Sequence, residues 1–214
     1  MPQALSLVDR VIDLIVPERR ILIGIAGAPG AGKTTVAEWL VSALMQRGIS
    51  AVHVPMDGFH LADAALDALG RRERKGAIDT FDGFGYLNLL RRLRADLSAP
   101  IYAPSFERDI EQPIAGSIAV ESSAQVIVSE GNYLLAQVDP WPDVRAAFDE
   151  VWFADVEQTV RLERLHARHV RFGKSSAEAT AWIDLVDEPN AREILAAREF
   201  ADLTIDVDAL GVNP

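Results

Sequence analysis

The stretch "GAPGAGKT", Gly27 to Thr34, constrains this chain more than any other feature. It follows the apolar run "ILIGIAG" and leads directly into "KTTVAEWLVSALMQRG", whose apolar spacing is helical and which Gly48 ends. The pattern G-x-x-x-x-G-K-[ST] between a strand and a helix wraps backbone N–H groups around a phosphate chain, and the helix N-terminus adds positive dipole. Gly27, Ala28, Pro29, Gly30, Ala31, Gly32, Lys33, Thr34 and Thr35 are therefore the candidate nucleotide-binding residues. Lys33 is expected to reach the β- and γ-phosphates, and the Thr34 hydroxyl to serve a Mg²⁺ ion beside ATP. A glycine-rich turn with a surface lysine is the bland alternative.

The rest of the chain alternates in the same way. "AVHVPM", "AQVIVSEGN", "EVWFADV" and "ADLTIDVD" read as further strands, and "GYLNLLRRLRADL" and "EQTVRLERLHARHVRFG" as helices. Apolar strands separated by helices predict an α/β fold with a mostly parallel sheet covered on both faces. At the N-terminus, Leu5, Val8, Ile12 and Ile15 recur at helical spacing, while Asp9, Arg10 and Asp13 interrupt any signal-peptide or membrane-spanning run. With 214 residues and no linker or repeat, one domain over 1–214 is expected. Two charged, glycine-punctuated stretches, 70–85 and 168–179, are candidates for mobile cover over a site.

Charge limits the partners. With 21 basic and 32 acidic side chains the net charge is −11, which disfavours nucleic acid and anionic membranes. The absence of cysteine excludes disulfides and thiolate chemistry and suits a reducing, cytoplasmic setting. The four histidines have no metal-ligand spacing, and His53, inside a strand, reads as structural.

In an open parallel sheet, ligands sit at the carboxyl ends of the strands. Asp57 and Glu130 fall there together with the phosphate loop. An acid at that place accepts a proton from an attacking hydroxyl or helps hold magnesium; we assign the first role to Asp57 and the second to Glu130. A helix cap for Asp57 and a solvated strand end for Glu130 are the structural alternatives. His60 lies close enough in sequence to share the site. Arg161, Arg164, Arg168 and Arg171 line one side of a helix. Arg168 and Arg171, nearest the break at Gly173, are the candidates for compensating phosphoryl charge, against a solvated face paired with Glu157 and Glu163.

The order "GAPGAGKTT", "MDGFHL", "RKGAIDTFD", "APIYAPSFERDIEQP", "VIVSEGNYLL" and a basic helix resembles the phosphoribulokinase, uridine kinase and bacterial pantothenate kinase family. The likeness is greatest to bacterial members described as nucleoside/nucleotide kinase-like or as kinases of a fructose transport system. It runs from about Ile21 to Asp206. It implies a P-loop kinase fold, ATP-dependent phosphorylation of a small molecule's hydroxyl, Asp57 as base, and a lid over about 164–190. It also marks Tyr102, Phe106 and Arg108 as substrate-loop residues, although the two aromatics could equally pack in a core. Two departures bear on the acceptor: Pro104 stands where pantothenate kinases carry a histidine, and Gly58 where uridine kinases carry a serine. The acceptor is therefore left as a nucleoside, sugar or pantothenate-like alcohol, and a homodimer is left open. A regulatory GTPase fits poorly, since no lysine follows an asparagine. An ATP-dependent switch or assembly factor without a small acceptor is the remaining alternative.

Overall fold

The computed structural model describes residues 2–211. In chain order it runs through α1 (Pro2–Leu14), β1 (Ile21–Ala26), α2 (Lys33–Gln46), β2 (Ala51–His53), α3 (Asp63–Leu69), α4 (Gly83–Ala95), β3 (Ile101–Glu107) and β4 (Gln112–Val120). It continues with β5 (Val126–Gly131), α5 (Trp141–Ala147), β6 (Glu150–Asp155), α6 (Gln158–Arg171), α7 (Ser176–Trp182), α8 (Glu188–Ala196) and β7 (Leu203–Asp206). A 3₁₀ turn spans Met56–Phe59, and a π-helical turn, Ile183–Asp187, joins α7 to α8.

Five strands form one sheet in the order β2-β5-β1-β6-β7, and every pairing in it is parallel. The central strands are buried along their whole length, which is why they read as unbroken apolar runs rather than alternating ones. Side-chain parity divides the core. Ile21, Ile23 and Ile25 of β1 join Val126 and Val128 of β5 against α1 and α2, while Leu22 and Ile127 join the cluster built on α4 and α5. Glu130 follows the parity of Val126 and Val128, so it faces α2. Ser129 takes the other face, within 2.6 Å of the Tyr86 hydroxyl, and donates to the Val54 carbonyl.

Three local readings change. The N-terminal helix forms, but it buries Leu7, Val8 and Val11 while Leu5 points to solvent. The "AVHVPM" strand stops at His53: Val54 still donates to the Val128 carbonyl, and Pro55, which has no N–H to give, diverts the chain into the 3₁₀ turn. "APIYAPSFERDIEQP", read only as a loop, is half of an antiparallel hairpin, β3–β4, which forms a separate two-stranded sheet with an irregularity between Ala103 and Ser105. No helix among the described residues is long and apolar enough to cross a membrane.

Just before the central strand β1, Arg20 is almost wholly buried and donates to the carbonyls of Ala124, Leu93, Asp96 and Glu121. One guanidinium thus ties the start of β1 to the end of α4 and to the segment entering β5.

Candidate active site

The carboxyl ends of β1, β2 and β5 open into a cavity of about 600 Å³. Its floor is the phosphate loop. Gly30 and Gly32 both have φ of +82°, in the left-handed region that glycine adopts without strain. At Gly30 there is a second constraint, because a Cβ there would lie 2.7 Å from the Arg161 carbonyl oxygen. The loop therefore packs directly against the first turn of α6. Pro29, Gly30, Gly32, Lys33, Thr34 and Thr35 line the cavity. Gly27, Ala28 and Ala31 do not, and the two alanines are buried beneath it.

Lys33 is buried and donates to the Ala28 carbonyl at 3.1 Å, across the mouth of the loop. Burial pulls its ammonium below the usual lysine range, against the opposing pull of Glu130 and Asp57. Glu130 is the mirror case: burial, and then the nearby Asp57 charge, push its carboxyl up, while Lys33 draws it down. Thr34 donates to Glu130 Oε1 at 3.1 Å. His53 Nε2 stands 3.9 Å from the same oxygen and is buried without a hydrogen-bond partner among the described residues.

Phosphate and magnesium fit this end. Arg164, on α6, pairs with Asp208 through one nitrogen, but its buried Nη1 has no hydrogen-bond partner among the described residues. That nitrogen lies 3.9 Å from where a Cβ on Gly32 would be, so a guanidinium N–H with donors to spare borders the loop. Thr34 and Glu130 offer one hydroxyl and one carboxylate. This hard-oxygen pair suits an Mg²⁺ completed by phosphate and water, and no group of three or more acidic, histidine or cysteine ligands occurs among the described residues.

Asp57 lines the same cavity from the 3₁₀ turn after β2, and the N-cap of the helix that follows is Ala62. One carboxylate oxygen receives a hydrogen bond from Arg108 at 3.3 Å. His60 donates from Nδ1 to the Asp57 backbone carbonyl at 2.8 Å, and its ring is held between Phe81 and Phe106, with centroids at 4.0 and 4.6 Å. Burial depresses the His60 pKa, so the neutral imidazole braces the turn. Gly58 is required by contact: a Cβ there would come within 2.7 Å of the Pro104 carbonyl carbon. The two departures noted in the sequence therefore touch, and their contact seats β3 on the turn that carries Asp57.

Of the residues expected here, His60, Phe106, Arg108 and Arg168 line the cavity with Asp57, Glu130 and the loop. Tyr102 does not; it is 62% exposed on the outer face of the hairpin. Arg171 is also outside, exposed at the end of α6 with its guanidinium near the Phe172 ring. Arg161 is buried and bonds to the Pro29 carbonyl and to Glu188, so it roots α6 in the loop. The arginine stripe does reach the cavity, one turn earlier than anticipated, through Arg164 and Arg168. Burial and the facing Arg108 lower the Arg168 pKa. Asp187 and Asn190 complete the wall from the segment around α8, and Asp187 accepts from His169 at 2.8 Å. No sequence spacing marks that pair, because its members meet only when α6 and the π turn pack together.

Comparison with known proteins follows the same lines. The profile of the Phosphoribulokinase / Uridine kinase family matches residues 22–207. A Schizosaccharomyces pombe protein provisionally described as a uridine kinase is 35% identical over 182 residues, which cover 82% of this chain and 77% of that one. An ATP-dependent kinase-like protein of Aspergillus versicolor, notR', is 38% identical over 152 residues, covering 67% of this chain and 88% of that one. Among solved structures, a Silicibacter sp. TM1040 protein provisionally described as a fructose transport system kinase superposes with a TM-score of 0.87 at 36% identity, over 95% of this chain and 98% of that one. A phosphate loop at the end of β1, a carboxylate at the end of β5 and a family profile spanning nearly the whole sheet agree, and the chain belongs to the phosphoribulokinase / uridine kinase family of P-loop kinases.

Proposed function

We propose that the protein transfers the γ-phosphoryl group of ATP to a hydroxyl of a small metabolite, with Asp57 as the general base. The observation that carries this reading is that Asp57 lines one cavity with Lys33, Thr34 and Glu130, on an element separate from the loop. An alcohol between them has a proton acceptor on one side and a phosphate cradle on the other.

Phosphoryl transfer asks a protein mainly for position and charge compensation. Lys33 exchanges the Ala28 carbonyl for phosphate oxygens, and Arg164 and Arg168 face the equatorial oxygens on which charge develops. Magnesium, held by Thr34 and Glu130, would neutralise the phosphate chain when bound. The acceptor oxygen forms its bond to phosphorus as the bond to ADP breaks, and its proton passes to the Asp57 carboxylate. His60 does no proton work in this scheme; it fixes the turn.

The test is ADP release from Mg-ATP against a panel of nucleosides, sugars, hydroxy acids and pantothenate-like alcohols. Asp57→Asn is expected to cut acceptor-dependent turnover by about 100-fold or more while ATP affinity stays nearly unchanged. Lys33→Ala should weaken ATP affinity and turnover together. Undiminished turnover in Asp57→Asn would sink the base assignment. Slow ADP release that ignores both acceptor and Asp57 would favour the nucleotide switch.

A further inference from the structure

The acceptor end of the cavity offers charge rather than free aromatic faces. Phe106 is engaged by the His60 ring and by the Lys75 ammonium 5.4 Å from its centroid. Phe81 packs on His60 and, at 5.6 Å, on Tyr133. Tyr102 faces solvent. Of the cations that line the cavity, Arg72 pairs with Asp63 at 2.8 Å and Asp67 at 3.2 Å, and Lys75 with Asp63 at 2.7 Å and the Glu111 carbonyl. Arg108 differs. Its guanidinium has five N–H donors, yet among the described residues it makes one hydrogen bond, the 3.3 Å contact to Asp57. Its side chain is 40% exposed, at the start of the β3–β4 turn. The Gly58–Pro104 contact fixes that hairpin to the Asp57 turn, so Arg108 is held where it both faces the cavity and occupies the base.

An acceptor with only hydroxyls gives Arg108 nothing better than Asp57, and the carboxylate stays engaged. A carboxylate or phosphate on the acceptor offers the guanidinium a two-point partner with shorter, stronger bonds. We propose that the acceptor is a small anionic alcohol, and that Arg108 receives its carboxylate or phosphate and thereby releases Asp57. This rests on Asp57 being the proton acceptor, and it makes Arg108 the residue that selects the substrate class.

Two measurements test it. In the first, ADP release from Mg-ATP is compared for matched pairs: glycerate and glycerol, gluconate and glucitol, ribose 5-phosphate and ribose. The charged member of an active pair should exceed its neutral partner in kcat/KM by about 10- to 100-fold, the scale of a charged hydrogen bond, and Arg108→Gln should abolish that preference. Whether carboxylates or phosphates respond separates the two anion types. Equal, Asp57-dependent turnover of the neutral members would overturn the proposal and leave phosphotransfer standing. In the second, inorganic phosphate is titrated with Mg²⁺ and a non-hydrolysable ATP analogue filling the loop. Arg108→Gln should weaken phosphate binding by about 10-fold or more. Phosphate binding unchanged by the substitution would overturn the proposal even if no pair is turned over.

Discussion

At the scale of single residues, Gly58 shows how a missing side chain governs the site. It has no unusual φ; its constraint is the backbone of Pro104 lying where a Cβ would go. Gly58→Ser should push β3 off the turn, costing about 1–3 kcal/mol as an overpacked contact. Thermal unfolding measures that cost. Because Asp57 and Arg108 lie on the two sides of the displaced contact, acceptor turnover should fall more than ATP affinity, and a variant with wild-type stability and turnover would refute the account. Glycine in "MDGF" was legible as a departure from relatives, but its cause was not, since Pro104 is remote in sequence. The phosphate loop was the opposite case. Its glycines, lysine and threonine form one contiguous motif between a strand and a helix, so sequence alone marked them as a unit. Arg171 fell outside because helical periodicity names a side of an element and not how far along it the cavity extends, and Tyr102 because the resemblance that marked it does not say which way its strand turns it.

At the scale of elements, the parallel strands were readable because burial on both faces leaves a continuous apolar signature, whereas the β3–β4 hairpin hid behind Pro104 and a charged turn. The short helix α3 is held to the stretch 70–85 by its first residue. Burial alone would raise the Asp63 pKa, but Lys75 and Arg72 outweigh it and hold the carboxyl below its usual range. A carboxylate depressed in the folded state stabilises fully above its unfolded pKa, near 4, and that contribution is lost as pH falls through the folded value. Asp63→Asn should therefore lower stability by about 1 kcal/mol or less at neutral pH. The gap to wild type should close on acidification below about pH 4. Denaturant melts at neutral and acidic pH check this; a gap that widens on acidification would contradict the linkage.

For the whole molecule, Arg20 is the side chain on which distant parts converge. It is charged, buried, and bonded to four carbonyls contributed by α4, the residue after it and the entry to β5. Nothing in "VPERR" distinguishes it from the exposed Arg19, because its partners are 73 to 104 positions away. Arg20→Met keeps much of the volume but strands those carbonyls, and should cost about 3 kcal/mol or more, a large share of a typical domain's stability. Denaturant unfolding of the variant measures it, and a loss below about 1 kcal/mol would show that the carbonyls find other partners.

The rooting of α6 has a mechanical meaning. Its first turn presses on Gly30 and is clamped through Arg161 to the Pro29 carbonyl and Glu188, while Arg168 and His169 line the cavity about two turns further on. The helix is pinned at its root by that clamp and held again further along, where His169 donates to Asp187 at 2.8 Å. Held at both places, it couples the phosphate loop to the π turn, and a displacement of the loop is carried along it to Arg168 and to Asp187.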